Sequence, residues 1–234
     1  MAEQIPLPFE RRSALTRADF QSSPANAPAL AFVDAWPGWQ IAAAALHGPP
    51  GSGKSHLVAI WQAASNAQIV PARELVRAAG AIDPMRPVAI EDFDAAHVSM
   101  ARDAALFALL EHARPSAPVL LTGREPPSQW KTVLPDLASR FSAILAFPLW
   151  APDDALLASI ARKLFDDRQL HVPEPVIEKM IRSLERSPAA IRDFVERADQ
   201  KALAEGRPIN LALVREMLRL GTSERIEPED PKED

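Results

Sequence analysis

The chain has 234 residues, 47% hydrophobic and 24% charged, enough for an α/β domain with a real core plus a smaller companion. It contains no Cys, which excludes disulfides, thiolate catalysis and thiolate metal sites. The net charge is −5, and residues 224–234 alone hold six acids against two bases, so the nearly neutral remainder offers no broad footprint for DNA or RNA.

Residues 1–28 read as a tail and entry segment, with Pro6, Pro8, Pro24 and Pro28 and no sustained period. A helix is predicted after Ser23 as N-cap, with Pro24 in its first turn, running to Trp36 before Pro37-Gly38 breaks the chain. Ile41–Leu46 is a short continuous apolar run, as expected of a strand buried on both faces of a parallel sheet. Similar runs follow at 67–70, 87–90, 118–121 and 144–149. Helical patterns separate them at 54–64, 73–79 and 102–113, with a broken one across 130–140. Strands alternating with helices predict βαβ units and a five-stranded parallel sheet flanked by helices. After Trp150 the strand signal stops, and 152–170, 173–186, 188–204 and 210–220 all carry helical periodicity. The expected division is a tail to 14, an α/β domain over 15–150, a helical domain over 151–220, and an acidic, disordered tail from 221.

Glycine is scarce, 8 residues in all, yet Gly48, Gly51 and Gly53 fall within six positions. The segment Gly48-Pro49-Pro50-Gly51-Ser52-Gly53-Lys54-Ser55 matches G-x-x-x-x-G-K-[ST], between a predicted strand and a predicted helix. Glycines let backbone N–H groups converge on phosphate oxygens, and the helix start adds a favourable dipole. Lys54 supplies a point charge for the β- and γ-phosphates, and Ser55 a hydroxyl ligand for Mg²⁺. Pro50, Gly51, Ser52, Gly53 and the backbone N–H of His56 complete the expected phosphate cradle for ATP or ADP.

About forty residues on, Val88-Ala89-Ile90-Glu91-Asp92 is an apolar strand ending in two acids. In P-loop ATPases the first acid orients Mg²⁺ through water and the second positions the attacking water. Here Glu91 holds the place usually taken by Asp, and Asp92 is the candidate catalytic acid. The five His are scattered without metal-ligand spacing, and the five Trp read as core or domain-junction packing. No apolar run approaches the roughly 20 residues of a membrane-spanning helix, and Met1-Ala2-Glu3-Gln4 lacks signal-peptide character, so a cytoplasmic location is expected.

With both motifs in place, residues 15–220 resemble the AAA+ ATPases of the bacterial replication-initiator (DnaA) family. The resemblance implies an AAA+ P-loop core followed by a helical lid. Leu120-Leu121-Thr122-Gly123-Arg124-Glu125-Pro126-Pro127 is similar to that family's fourth strand end, which makes Thr122 the γ-phosphate sensor candidate. Leu134-Pro135-Asp136-Leu137-Ala138-Ser139-Arg140-Phe141 resembles its box VII, so Arg140 carries over as an arginine finger reaching into a neighbouring subunit's ATP. Pro188-Ala189-Ala190-Ile191-Arg192-Asp193-Phe194 is similar to the lid's second sensor and places Arg192 over the phosphates, although the lid motif departs from the family after Asp193. The segment near Phe20 and Asn26 resembles the part that lines the adenine.

Two departures shape the functional expectation. The family continues past the lid into a helix-turn-helix DNA-binding domain, where this chain has its acidic tail. At the other end, Gln4-Ile5-Pro6-Leu7-Pro8-Phe9 resembles the peptide that docks in the DNA polymerase sliding clamp, held extended by Pro6 and Pro8, with Leu7 and Phe9 for an apolar pocket and the Gln4 amide for polar orientation. Together they imply a clamp-associated regulator that promotes ATP hydrolysis by the initiator in trans and restrains initiation. The finger also implies an interface, with that partner or between copies of this chain. Two alternatives stay open at this point: a self-sufficient ATPase of the helicase-loading or clamp-loading kind, and a P-loop small-molecule kinase.

Overall fold

The computed structural model describes residues 15–223, with side chains to residue 219. By contacts the chain divides into two units. The first comprises residues up to Ser22, Ala27–His47 and Lys54–Phe147; the second comprises Ser23–Asn26, Gly48–Gly53 and the residues from Pro148 on.

In the first unit α1 (Ala27–Asp34) precedes β1 (Ala43–His47), α2 (Lys54–Ser65), β2 (Gln68–Pro71), α3 (Leu75–Ala78) and β3 (Val88–Glu91). Then come α4 (Met100–His112), β4 (Val119–Gly123), α5 (Pro135–Ala143) and β5 (Leu145–Pro148). The five strands form one sheet in the order β2-β3-β4-β1-β5. The β1–β4, β3–β4 and β2–β3 pairs are parallel. The apolar runs at β3 and β4 are buried on both faces, as continuous hydrophobic strands require. Register aligns Leu46 with Thr122, His47 with Gly123 and Ile90 with Leu121, so the strand ends that carry the candidate residues share one edge. In open α/β sheets that carboxyl edge is where ligands bind.

One face of the sheet is closed by Phe93, Trp130 and Phe141, whose ring centroids lie 5.2–5.5 Å apart. Gly123 lets the Trp130 ring press on β4, since a Cβ there would lie 2.7 Å from it. Elsewhere Trp39 stacks between Phe32, at 4.1 Å, and Trp61, at 5.1 Å. Trp39, Trp61 and Trp130 are therefore core residues as expected, whereas Trp150 is 64% exposed.

Element boundaries moved where local hydrogen bonding outcompeted pattern. The Ser23 N–H donates to Asn26 Oδ1, so residues 24–26 form a turn and the first helix opens at Ala27. The expected helix at 73–79 shrinks to the single turn of α3, flanked by 3₁₀ turns at Ala72–Glu74 and Ala79–Ala81. The broken pattern at 130–140 resolves into a 3₁₀ turn at Pro127–Gln129 and then α5, which opens with Pro135 in its first turn.

The second unit holds α6 (Asp154–Asp166), α7 (Glu174–Ser183), α8 (Pro188–Glu205) and α9 (Leu211–Ser223). Side chains at helical spacing, such as Leu157, Ala161 and Phe165 of α6, meet Ile177 and Met180 of α7, Phe194 and Ala198 of α8, and Leu213 and Met217 of α9 in one cluster. Asp153 caps α6 by accepting from the Leu156 N–H, and Ser187 caps α8 by accepting from the Ala190 N–H. Helix α9 runs three residues past its expected end at 220. The docking peptide at 4–9 and the acidic tail beyond 223 lie outside the described residues. No described helix is long and apolar enough to cross a membrane.

Candidate nucleotide-binding site

The loop predicted to cradle phosphate spans 48–53, between the end of β1 at His47 and the start of α2 at Lys54. Gly48 and Gly51 have φ of +150° and +75°, values that side chains rarely tolerate. Space demands glycine at both as well. A Cβ on Gly48 would run into the Leu149 carbonyl oxygen, and one on Gly51 would lie 2.7 Å from the Ser187 Cβ. Ser52 is buried and its Oγ has no partner. A buried hydroxyl left unsatisfied costs about 1–3 kcal/mol, so its place in this loop fits a site for a phosphate oxygen.

Lys54 opens α2 and is only 7% exposed. Burial pushes its ammonium below the usual lysine range, Arg124 pushes the same way, and the carboxylates of Asp92, Asp94 and Glu91 oppose both. An ammonium buried at a helix start is suited to a polyanion. Ser55, its neighbour, is exposed. His56 is buried through its side chain: Nε2 lies 2.8 Å from the Thr16 carbonyl oxygen, and the ring meets Phe20 edge-on at 5.1 Å. The residue after the P-loop thus ties the entry segment to α2, a contact that sequence alone did not suggest.

At the carboxyl edge of the sheet, Glu91 ends β3 and Asp92 turns the chain with φ 55° and ψ 47°, a left-handed conformation uncommon outside glycine. The Asp92 N–H donates to Thr122 Oγ1 at 3.0 Å, which holds that conformation in place. Thr122 itself is 1% exposed. Asp94, outside the two-acid motif, accepts through Oδ2 from the N–H groups of Arg124, at 2.7 Å, and Glu125, at 2.9 Å. Three acids in E-D-x-D order were the available signal. The fold therefore joins the ends of β3 and β4 through Thr122 and Asp94, and it brings their charges to bear on Lys54. At the end of β1, burial pushes the His47 imidazole below its usual range; Glu125 opposes this and Lys54 reinforces it.

Among the described residues no group of three or more His, Asp or Glu gathers to hold a metal by itself. Mg²⁺ carried by a nucleotide needs only one or two protein ligands besides phosphate and water. Ser55 and Glu91 match that need, and Glu91 Oε1 is a buried carboxylate oxygen without a partner. When bound, Mg²⁺ would supply charge neutralisation at the terminal phosphates.

Arg140 lies in the last turn of α5. Its guanidinium packs over the Phe107 ring, 4.6 Å from the centroid, and forms an ion pair with Glu111. Both partners come from α4, so this chain seats Arg140 on itself rather than at Lys54 or Asp92. Arg192 is half-buried in the second turn of α8, five residues after Ser187, the residue that meets Gly51.

A strand-ordered 2-3-4-1-5 sheet, a glycine loop leading into a buried lysine, an acidic third strand and a four-helix second unit define an AAA+ P-loop fold. The chain matches no family model and no curated protein. Among solved structures it is similar to domain III of the Thermotoga maritima replication initiation protein DnaA, with TM-score 0.74 and 16% identity over 88% of this chain and 95% of that one. It is also similar to the replication initiator DnaA bound to AMPPCP and single-stranded DNA, with TM-score 0.73 and 15% identity over 93% of this chain and 70% of that one. The Thermotoga maritima RuvB Holliday junction branch migration motor aligns with TM-score 0.66 and 15% identity over 88% of this chain and 71% of that one. The fold is thus DnaA-like, as the residue motifs implied.

Proposed function

We propose that this chain binds ADP or ATP with Mg²⁺ and acts as a regulator of the Hda type, promoting ATP hydrolysis by a DnaA-like replication initiator in trans. The observation that carries nucleotide binding is the loop at 48–53, where two glycines have no room for a side chain and a buried Ser52 hydroxyl has no partner. Similarity to an AMPPCP-bound initiator supports the same reading. Residues 4–9 are proposed to dock on the DNA polymerase sliding clamp. That tether supplies effective concentration, so a weak contact with the initiator suffices. Arg140 is proposed to leave Glu111 and enter the initiator's ATP site, where it meets charge developing on the γ-phosphate.

The seat of Arg140 supports a trans role. Its ion pair with Glu111 is half-exposed, at 38% and 48%, so breaking it costs on the order of 1 kcal/mol or less. A finger in trans is worth on the order of 10³–10⁵ in rate, far more than that cost. The expected result is that this protein, clamp and DNA together accelerate hydrolysis by ATP-loaded initiator, and that Arg140→Ala removes the acceleration while nucleotide binding by the variant stays intact. Equal stimulation by Arg140→Ala would sink the mechanism. Strong hydrolysis by the isolated chain, lost in Asp92→Asn and indifferent to deletion of residues 1–9, would instead mark a self-sufficient ATPase.

A further inference from the structure

Arg102 and Asp103, on α4, form a buried charge pair to which the proposed reaction assigns no part. Such a pair is a weak source of net stability, because the desolvation of two charges offsets their attraction. Its partners show what it holds. Arg102 donates to the carbonyl of Ala96, just past the acidic end of β3, at 2.9 Å, and to that of Lys131 at 2.7 Å. Asp103 Oδ2 accepts from the Thr132 hydroxyl and the Val133 N–H, both at 2.6 Å. Thr132 Oγ1 in turn accepts from the Leu134 N–H at 3.0 Å. Leu134 is the residue on which α5 opens, and its own side chain supplies no cap. One buried pair on α4 therefore fixes the root of α5.

The far end of α5 is held by the same helix. Asp103, Phe107 and Glu111 are spaced by four, which sets them along one face of α4. Phe107 and Glu111 seat the Arg140 guanidinium. The two holds differ in kind. At the root, Arg102 and Asp103 are 3% and 0% exposed, and such a pair stays made. At the tip, Arg140 and Glu111 lie half-open to water, where an ion pair is weak. Helix α5 is only nine residues long, so a shift at its root carries Arg140 with it, whereas release at its tip frees the side chain alone.

We propose that α4 holds Arg140 at two points with separate effects. Arg102 and Asp103, acting through Thr132, are positioning residues that set where the arginine stands. Phe107 and Glu111 are a latch that keeps its side chain seated until a partner's nucleotide draws it away. This rests on the trans role proposed for Arg140. The root acts on the rate at full engagement, since a misplacement of about 1 Å costs up to ~10²-fold. The latch acts on the concentration needed for engagement, since it lowers the fraction of chains with a free finger.

The test measures hydrolysis by ATP-loaded initiator, with clamp and DNA, against the concentration of the full chain. Thr132→Val breaks the link from Asp103 to Leu134 and keeps the buried pair. It is expected to lower the maximal rate about tenfold and to move the half-stimulating concentration less than about twofold. Arg102→Met/Asp103→Leu should lower the maximal rate further. Glu111→Gln should do the reverse, lowering the half-stimulating concentration about threefold at an unchanged maximal rate. Thermal melting establishes that each variant is folded, and Thr132→Val decides if the double variant is not. A wild-type maximal rate in folded Thr132→Val overturns the positioning role. An unchanged half-stimulating concentration in Glu111→Gln overturns the latch. In either case, stimulation by wild type and its loss in Arg140→Ala leave the trans reading standing. Equal stimulation by Arg140→Ala, or none by wild type, removes both.

Discussion

Lys54→Met is expected to lower nucleotide affinity by about a hundredfold while leaving the free protein as stable as before or more so. Both halves follow from the surroundings of the ammonium. It is 7% exposed and held below the usual lysine range, chiefly by burial, so the free fold disfavours its charge. Methionine keeps the aliphatic volume and removes that burden. In the proposed nucleotide complex the same ammonium would meet two phosphate groups, and charged hydrogen bonds of about 1.5–3 kcal/mol would then work in its favour. Calorimetric titration measures the affinity. Thermal melting supplies the complement: nucleotide at a hundred times its dissociation constant adds about 2.7 kcal/mol to wild type, a rise of about 5–10 °C that the variant should lose at the same concentration. Wild-type affinity in the variant, or a large fall in its own melting temperature, would contradict this account of Lys54.

Asp103→Ala is expected to destabilise the first unit by about 3–5 kcal/mol, a large share of the 5–15 kcal/mol typical of a whole domain. Asp103 is fully buried on α4 and Arg102 is 3% exposed. Oδ1 accepts from Arg102 Nε at 2.9 Å and from Nη2 at 2.6 Å, while Oδ2 accepts from Thr132 Oγ1 and the Val133 N–H, both at 2.6 Å. Arg102 also donates to the carbonyls of Ala96 and Lys131 and lies 4.4 Å over the Phe93 ring. Every polar group of the pair is satisfied, so removing the carboxylate strands a buried guanidinium. The double variant Arg102→Met/Asp103→Leu should therefore be less damaging than Asp103→Ala alone, which chemical denaturation can measure.

The same network has a pH signature. Burial pushes the Asp103 carboxyl up, but the bonds from Thr132, Val133 and Arg102 outweigh it and hold it below the usual carboxylate range. A carboxyl lower in the folded than in the unfolded chain stabilises above the unfolded value of about 3.9, and that stability is lost as pH falls through the folded value. Wild type should consequently lose stability below about pH 4 more steeply than Asp103→Asn. The network ties α4 to the turn after β3 and to the segment that enters α5.

Legibility in the sequence followed the range of the interactions involved. All five strands were found within a few residues: β1, β3 and β4 because burial on both faces requires unbroken apolar runs, and the half-exposed β2 and β5 because their short runs are apolar as well. The long helices of the second unit were equally plain from their spacing. The pattern at 73–79 reads longer than α3 because three-residue periodicity also describes 3₁₀ turns, and nothing local distinguishes one from a full helix. Residue type alone marks Trp150 for core or domain-junction packing, yet its 64% exposure depends on what surrounds it.

The dense glycine cluster and the apolar strand with two terminal acids were decided by local chemistry: backbone that must approach phosphate needs glycine, and a strand buried in a sheet needs continuous apolar side chains. That much specified a P-loop α/β fold and named Lys54, Ser55, Glu91 and Asp92. Only tertiary structure could decide that Thr122 supports Asp92, that Asp94 fixes the turn bearing Arg124, and that Arg140 rests on Glu111. Each of these contacts joins residues about 30 positions apart; the parallel register of β3 and β4 brings the first two together and the contact of α5 with α4 the third, and no local pattern encodes either.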